Sequence, residues 1–163
     1  MRILGIDPGI ARAGWGVIEV NPPAGGSKLK VISYGCLETG SKENVTQRLE
    51  KIYNGVSKLI SEYNTEEMAV EELFFNTNAK TAFIVGQARG VIILAGAKNN
   101  IPCFSYTPLQ VKVAVSCYGR AEKNQVGQMV KTILSLKEIP KPDDTTDALA
   151  VAITHAFSRK SPK

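Results

Sequence analysis

Asp7, Glu71, Asp144 and Asp147 are the residues of this sequence whose types and spacing could do chemistry together. Asp7 closes the apolar run Ile3-Leu4-Gly5-Ile6, and Pro8-Gly9 then breaks the chain into a tight turn. Glu71 ends a second short apolar run, Met68-Ala69-Val70, with Glu72 on the opposite side because strand side chains alternate. Asp144 and Asp147 lie three apart at the start of the last helical stretch and share one face, with Asp143 rotated off it. A carboxylate at the end of a central strand sits at the rim of a sheet, where ligands bind in α/β proteins. If the two strands are neighbours, Asp7 and Glu71 can face each other. No basic residue lies within the three motifs. Carboxylates gathered there would repel and raise one another's pKa unless a divalent cation joined them. Hard oxygen donors, with no His or Cys among them, favour Mg²⁺, with Mn²⁺ as a substitute, over zinc. Two such ions can activate a water and stabilise the leaving oxygen of a phosphodiester. Taken singly, each site has a plainer explanation: an Asx-turn for Asp7, and a favourable helix N-terminus for the aspartates after Pro142. Three acidic sites in the order strand end, strand end, helix start make coincidence a poor account.

The elements that must position these acids follow from the hydrophobic pattern. Residues 14–20 and 29–37 read as strands joined by the loop Asn21-Pro22-Pro23-Ala24-Gly25-Gly26-Ser27, an antiparallel meander continuing from the first strand. Residues 43–63 place Val45, Leu49, Ile52, Val56, Leu59 and Ile60 at helical spacing. A strand at 68–71, a long helix from Asn78 to about 99 and a strand at 101–106 come next. Thr107-Pro108 opens a further helix, with a side-chain cap and Pro at its first position. Helices near 124–136 and 144–158 finish the chain. With no linker, repeat or low-complexity stretch, residues 1–163 read as one α/β domain built on a mixed sheet.

Charge is distributed unevenly over the 163 residues, whose formal net charge is +5. Residues 1–72 carry 8 basic and 10 acidic side chains, whereas 73–121 carry Lys80, Arg89, Lys98, Lys112 and Arg120 with no acid. An acid-free basic middle between carboxylate-rich flanks suits a polyanion binder with an anionic centre. Cys36, Cys103 and Cys117 are odd in number and widely separated, as reduced thiols rather than a disulfide or zinc framework. Asp7 interrupts the apolar start, and no apolar run approaches the roughly 20 residues of a membrane span. A cytoplasmic location without membrane attachment is the expectation.

Leu4-Gly5-Ile6-Asp7-Pro8-Gly9, Ala69-Val70-Glu71-Glu72-Leu73-Phe74, Gly86-Gln87-Ala88-Arg89-Gly90 and Asp144-Thr145-Thr146-Asp147-Ala148-Leu149-Ala150 together resemble the bacterial RuvC crossover-junction endodeoxyribonuclease family. The resemblance covers nearly the whole chain. It implies an RNase H-like fold with a mixed five-stranded sheet flanked by helices, and a homodimer. The activity it implies is Mg²⁺-dependent nicking of two symmetry-related strands of a four-way (Holliday) DNA junction, leaving 5′-phosphate and 3′-hydroxyl ends. Asp7, Glu71, Asp144 and Asp147 match the family's catalytic, metal-binding acids. Lys112 and Lys123 match lysines that the family places near the scissile phosphate. Phe74 matches an aromatic that stacks on an unpaired base near the crossover, with core packing as the competing explanation. Partnership with the RuvA and RuvB branch-migration proteins is implied too. Gly86 and Gly90, four apart, allow close helix approach, either at the dimer interface that the resemblance suggests or within the chain. His155 lies two turns beyond Asp147, about 12 Å along the axis, and reads as structural. The Pro-Pro-Ala-Gly-Gly loop and the Ser161-Pro162-Lys163 tail depart from the family pattern without touching the acids. An ATP-handling protein of the actin and sugar-kinase type, an RNA-processing RNase H-like nuclease and a non-catalytic junction binder are the alternatives.

Overall fold

The computed structural model describes residues 1–21, 28–73 and 79–159. Three strands open the chain, β1 (Arg2–Asp7), β2 (Arg12–Asn21) and β3 (Lys28–Glu38). They form the expected meander, with β1 antiparallel to β2 and β2 antiparallel to β3. Helix α1 (Val45–Tyr63) follows, opened by a reciprocal Asn44–Gln47 cap and closed by Asn64 in a left-handed conformation. Strand β4 (Glu67–Glu71) then pairs parallel with β1, helix α2 (Ala79–Lys98) crosses, and β5 (Cys103–Tyr106) pairs parallel with β4. The sheet order is β3-β2-β1-β4-β5, the RNase H-like mixed sheet with β1 and β4 at its centre. Helices α3 (Pro108–Ser116), α4 (Lys123–Ile133) and α5 (Asp143–Ser158) complete it. Thr107 and Gln110 form the expected capping box at the start of α3, with Pro108 at the first turn.

Alternation along β1 divides the core. Leu4 and Ile6 face α1 and α2 with Val17, Ile52, Met68 and Ile92, while Ile3 faces the other side with Ile18, Ala69 and Leu149. On that second side α5 lies directly on the sheet, and α3 and α4 pack over α5. This explains the nearly continuous burial of α5 from Thr145 to His155. A helix buried all round is apolar all round, as Ala148-Leu149-Ala150-Val151-Ala152-Ile153 is.

His155 is structural, as read from its spacing. Its Nδ1 lies 2.7 Å from the Tyr106 hydroxyl and its Nε2 lies 2.7 Å from Glu67 Oε2, while Phe104 stacks on the ring at 4.3 Å. Arg159 also holds Glu67, with its Nε 2.8 Å from Oε2. Neutral imidazole satisfies both contacts, donating from Nε2 and accepting from tyrosine at Nδ1. Burial lowers the His155 pKa below its ordinary 6.5, against the opposing pull of Glu67. The unfolded chain therefore binds a proton that the folded chain resists as pH falls below 6.5, so stability drops on the acid side until the lowered folded-state pKa is reached. We expect His155→Gln to lose about 1–3 kcal/mol at pH 7.5 and to show a shallower acid-side decline. Denaturant melts between pH 7.5 and 5.5 measure both.

Candidate active site

Strands β1 and β4 run in parallel register, Gly5 opposite Ala69 and Ile6 opposite Val70. One residue further on, both strands end in a carboxylate. The two-residue period puts Asp7 with Gly5, and Glu71 with Ala69, on the face that α5 covers. The conditional expectation that Asp7 and Glu71 face each other is met, because their strands are neighbours. Glu72 lies apart, in a hollow with Leu73, Gly86 and Arg89.

Helix α5 delivers the other two acids because the strands beneath it carry no side chains where it crosses. A Cβ on Gly5 would stand 2.2 Å from the Ala148 carbonyl oxygen, and one on Gly14 would stand 2.0 Å from that of Asp144. Gly16 leaves similar room for Leu149. Gly5 and Gly16 are register partners, as are Asp7 and Gly14, so the glycines form one patch beside the acid. Threonine hydroxyls fix the first turn of α5: Thr145 donates to the Gly35 carbonyl at 3.3 Å and Thr146 to that of Pro140 at 2.7 Å. Pro142 occupies the N-cap, so none of the three aspartates is spent on capping.

Electrostatics shows how closely the acids are gathered. Burial, then the charges of Glu71, Asp147 and Asp144, push the Asp7 carboxyl up to about 8. Burial and Asp147 push Glu71 up to about 7, opposed by a hydrogen bond from Asp7 and by Lys123 and Lys112. Burial also raises Asp147, against the bond from Lys123. In a folded protein such a cluster is a cost unless positive charge compensates it.

Cations do reach the cluster, from segments outside the three acidic motifs. Lys123, the first residue of α4, places Nζ 2.9 Å from Asp147 Oδ2 and 3.9 Å from Asp143 Oδ2. Arg12, at the start of β2, places Nη1 3.4 Å from Asp144 Oδ2 and Nε 3.2 Å from Glu38 Oε1. Arg12 carries no sequence signal. Its proximity depends on the Arg12–Glu38 register of β2 and β3 and on the seat of α5 over Gly14. Among the described residues no three acids are drawn together tightly enough to enclose an ion as they stand, and these cations hold two of them. The donor set nonetheless fits a hard divalent ion: all oxygen, no His or Cys, and two members whose shared burial penalises ionisation.

Lys112, on α3, lines a cleft of about 250 Å³ with Glu71, Lys123 and Asp147, walled by Pro108 and Val126. The structure thus brings Lys112 and Lys123 into one cleft with Glu71 and Asp147. Phe74 lies outside the described residues. Cys36, Cys103 and Cys117 are free thiols.

The family described as crossover junction endodeoxyribonuclease RuvC matches residues 3–155. The chain belongs to the RuvC family. The RuvC of Clostridioides difficile (strain 630) is 55% identical over 163 residues, covering 100% of this chain and 94% of the relative. A Thermus thermophilus RuvC structure superposes with a TM-score of 0.88 at 38% identity, covering 96% of this chain and 94% of that one. T. thermophilus RuvC in complex with a Holliday junction substrate superposes with a TM-score of 0.86 at 36% identity, with the same coverage.

Proposed function

We propose that this RuvC-family endonuclease resolves four-way DNA junctions by metal-dependent, paired nicking that leaves 5′-phosphate and 3′-hydroxyl ends. The observation that carries this reading is the meeting of Asp7, Glu71 and Asp147 at one sheet rim, with Lys112 and Lys123 in the same cleft. Asp7, Glu71, Asp144 and Asp147 would hold Mg²⁺, with Mn²⁺ as a substitute. When bound, the ion supplies charge neutralisation at the phosphodiester and a water of lowered pKa. The chain's own residues do the rest. The sheet fixes Asp7 and Glu71 as a rigid pair, and the buried helix α5 fixes Asp144 and Asp147 against them. Lys112 and Lys123 are point charges on flexible stems, suited to the non-bridging oxygens of the scissile phosphate. The bond to Asp147 raises the Lys123 pKa and keeps the ammonium charged.

Lys123→Ala is expected to slow single-turnover junction cleavage by about 10²-fold with a smaller loss of binding. Lys123→Arg should restore binding better than rate. The decisive test of the function is cleavage of a synthetic four-way junction, with linear duplex as control, in Mg²⁺ and in EDTA. Paired nicks in the junction alone, abolished by EDTA, are expected. Tight binding without cutting in any divalent metal would instead make the chain a binding module.

A two-fold dimer suits a symmetric junction, since each site cuts one strand. Helix α2 supports it. Phe83, Gly90, Leu94 and Ala97 are exposed along one stripe, Phe83 at 70% and Leu94 at 48%, and a Cβ on Gly90 would meet nothing within 4 Å. Such a face on a small protein is an interaction surface. Leu94→Glu should convert the dimer to a monomer in sedimentation equilibrium and turn paired nicks into single ones. Phe74 is assigned to stacking on an unpaired base at the crossover, and RuvA and RuvB enter as partners through family resemblance. A DNA substrate places the enzyme's work in the cytoplasm. No helix among the described residues is long and apolar enough to cross a membrane.

A further inference from the structure

A second concavity adjoins the catalytic cleft and is larger, about 430 Å³ against about 250 Å³. Lys123 and Asp147 line both, so the two hollows lie on either side of the Lys123–Asp147 ion pair. The floor of the second groove is apolar. Gly127 keeps it low, since a Cβ there would stand 3.2 Å from Ile139 Cγ2 and 3.7 Å from Thr146 Cγ2. The Thr146 hydroxyl is turned away and spent on the Pro140 carbonyl, which leaves its methyl group toward Gly127. The rim is polar and exposed, with Asn124 on the first turn of α4 and Lys141 on the segment leading into α5. Lys141 has no ion-pair partner among the described residues, in contrast to Lys123.

We propose that this groove is a nucleoside subsite, taking one base and sugar of the cleaved strand immediately beside the scissile phosphate. The inference rests on the reading that the strand crosses the acids at Lys123. A phosphate held at Lys123 puts a neighbouring nucleoside within reach of the hollow beside it, and this hollow falls within the roughly 300–1,000 Å³ range of ligand pockets. An apolar floor suits the face of a base and the deoxyribose. The Asn124 carboxamide, on the rim of the hollow, offers one acceptor and two donors, the groups with which amides read a base edge. Lys141, on the rim of the same hollow, offers a cation to a flanking phosphate. Asp143, the most exposed acid of the rim, sits 3.9 Å from Lys123, which offsets its repulsion of the strand.

The test uses the full chain and a four-way junction of fixed sequence, with a single abasic nucleotide placed in turn at the two positions on each side of the cut. Wild type should lose about tenfold in kcat/KM at one of these positions and little at the others. Asn124→Ala should lose a similar factor on the intact junction and no longer distinguish the intact from that abasic substrate. Lys141→Ala should weaken junction binding and reduce the slope of log affinity against log salt by about one. Both side chains are exposed, so unchanged thermal melts confirm that fold is not at issue. The subsite is overturned if no abasic position matters to wild type, or if the same position costs Asn124→Ala as much as it costs wild type. Failure of wild type to cut the intact junction would sink the underlying reading instead, and is distinguishable from both.

Discussion

Asp7→Asn is expected to lower junction cleavage by at least about 10³-fold, leave junction binding intact, and make the metal-free protein more stable. The first part follows from losing a charged oxygen ligand at the reacting phosphate, where metal-centred stabilisation contributes several kcal/mol and each 1.36 kcal/mol is tenfold in rate. The last part follows from the site's own electrostatics. Asp7 is buried beside Glu71, Asp147 and Asp144, which is why its carboxyl is pushed up to about 8. An amide of the same shape keeps a hydrogen bond to Glu71 and, unlike Asp7, requires neither a buried charge nor the uptake of a proton on folding near neutral pH. A gain of about 1 kcal/mol or more, about 2–4 °C in Tm, is expected in EDTA near neutral pH. An aspartate present only to cap a turn would behave in the opposite way, with lower stability and unchanged cleavage. Single-turnover cleavage and thermal melts on one preparation separate the two. A variant that cuts at the wild-type rate would remove Asp7 from the mechanism.

The acids were legible because each sits where a local pattern ends. Ile3-Leu4-Gly5-Ile6 and Met68-Ala69-Val70 are short strands bounded by a turn or a polar residue, so Asp7 and Glu71 fall at strand ends by counting alone. Asp144 and Asp147 share a face by helical period. The pairing of β1 with β4 depends on contacts more than sixty residues apart, and no local pattern encodes it. Boundaries shifted where pairing outran propensity: β2 starts at Arg12 rather than residue 14 because Arg12 still pairs with Glu38 across the sheet. The same long-range geometry hid the role of Arg12 at Asp144, and hid the cations that stand beside a set of motifs containing none. His155 could be excluded from the acid cluster by distance along its helix. Its partners Glu67 and Tyr106 could not be named, because they come from two strands far away in the chain. Gly14 and Gly16 read only as residues of a strand, and their function becomes visible once α5 is seen resting on them.

That patch of missing side chains makes Gly14→Ala a sharper probe of the site than its size suggests. A methyl group there would stand 2.0 Å from the Asp144 carbonyl oxygen and 2.3 Å from its carbonyl carbon, both rigid backbone atoms of the first turn of α5. The clash can be relieved only by moving β2 or the helix start, and either shifts Asp144 away from Asp7. Overpacking of this kind costs about 1–3 kcal/mol, and a displacement of about 1 Å at a reacting centre costs about 10²-fold in rate. Gly5→Ala provides the comparison. Its methyl group would meet the Ala148 carbonyl at 2.2 Å and the Ala152 Cβ at 2.8 Å, one to two turns beyond Asp144 and clear of the first turn of the helix. Gly5→Ala should therefore cost at least as much stability as Gly14→Ala while retaining more of its cleavage rate at a temperature where both variants are folded. Urea denaturation gives the first quantity and single-turnover cleavage the second. If the two variants lose rate in proportion to stability, the glycine patch serves only to pack the helix. If Gly14→Ala loses rate out of proportion, the close seat of α5 is what sets the distance between the strand-borne and the helix-borne acids.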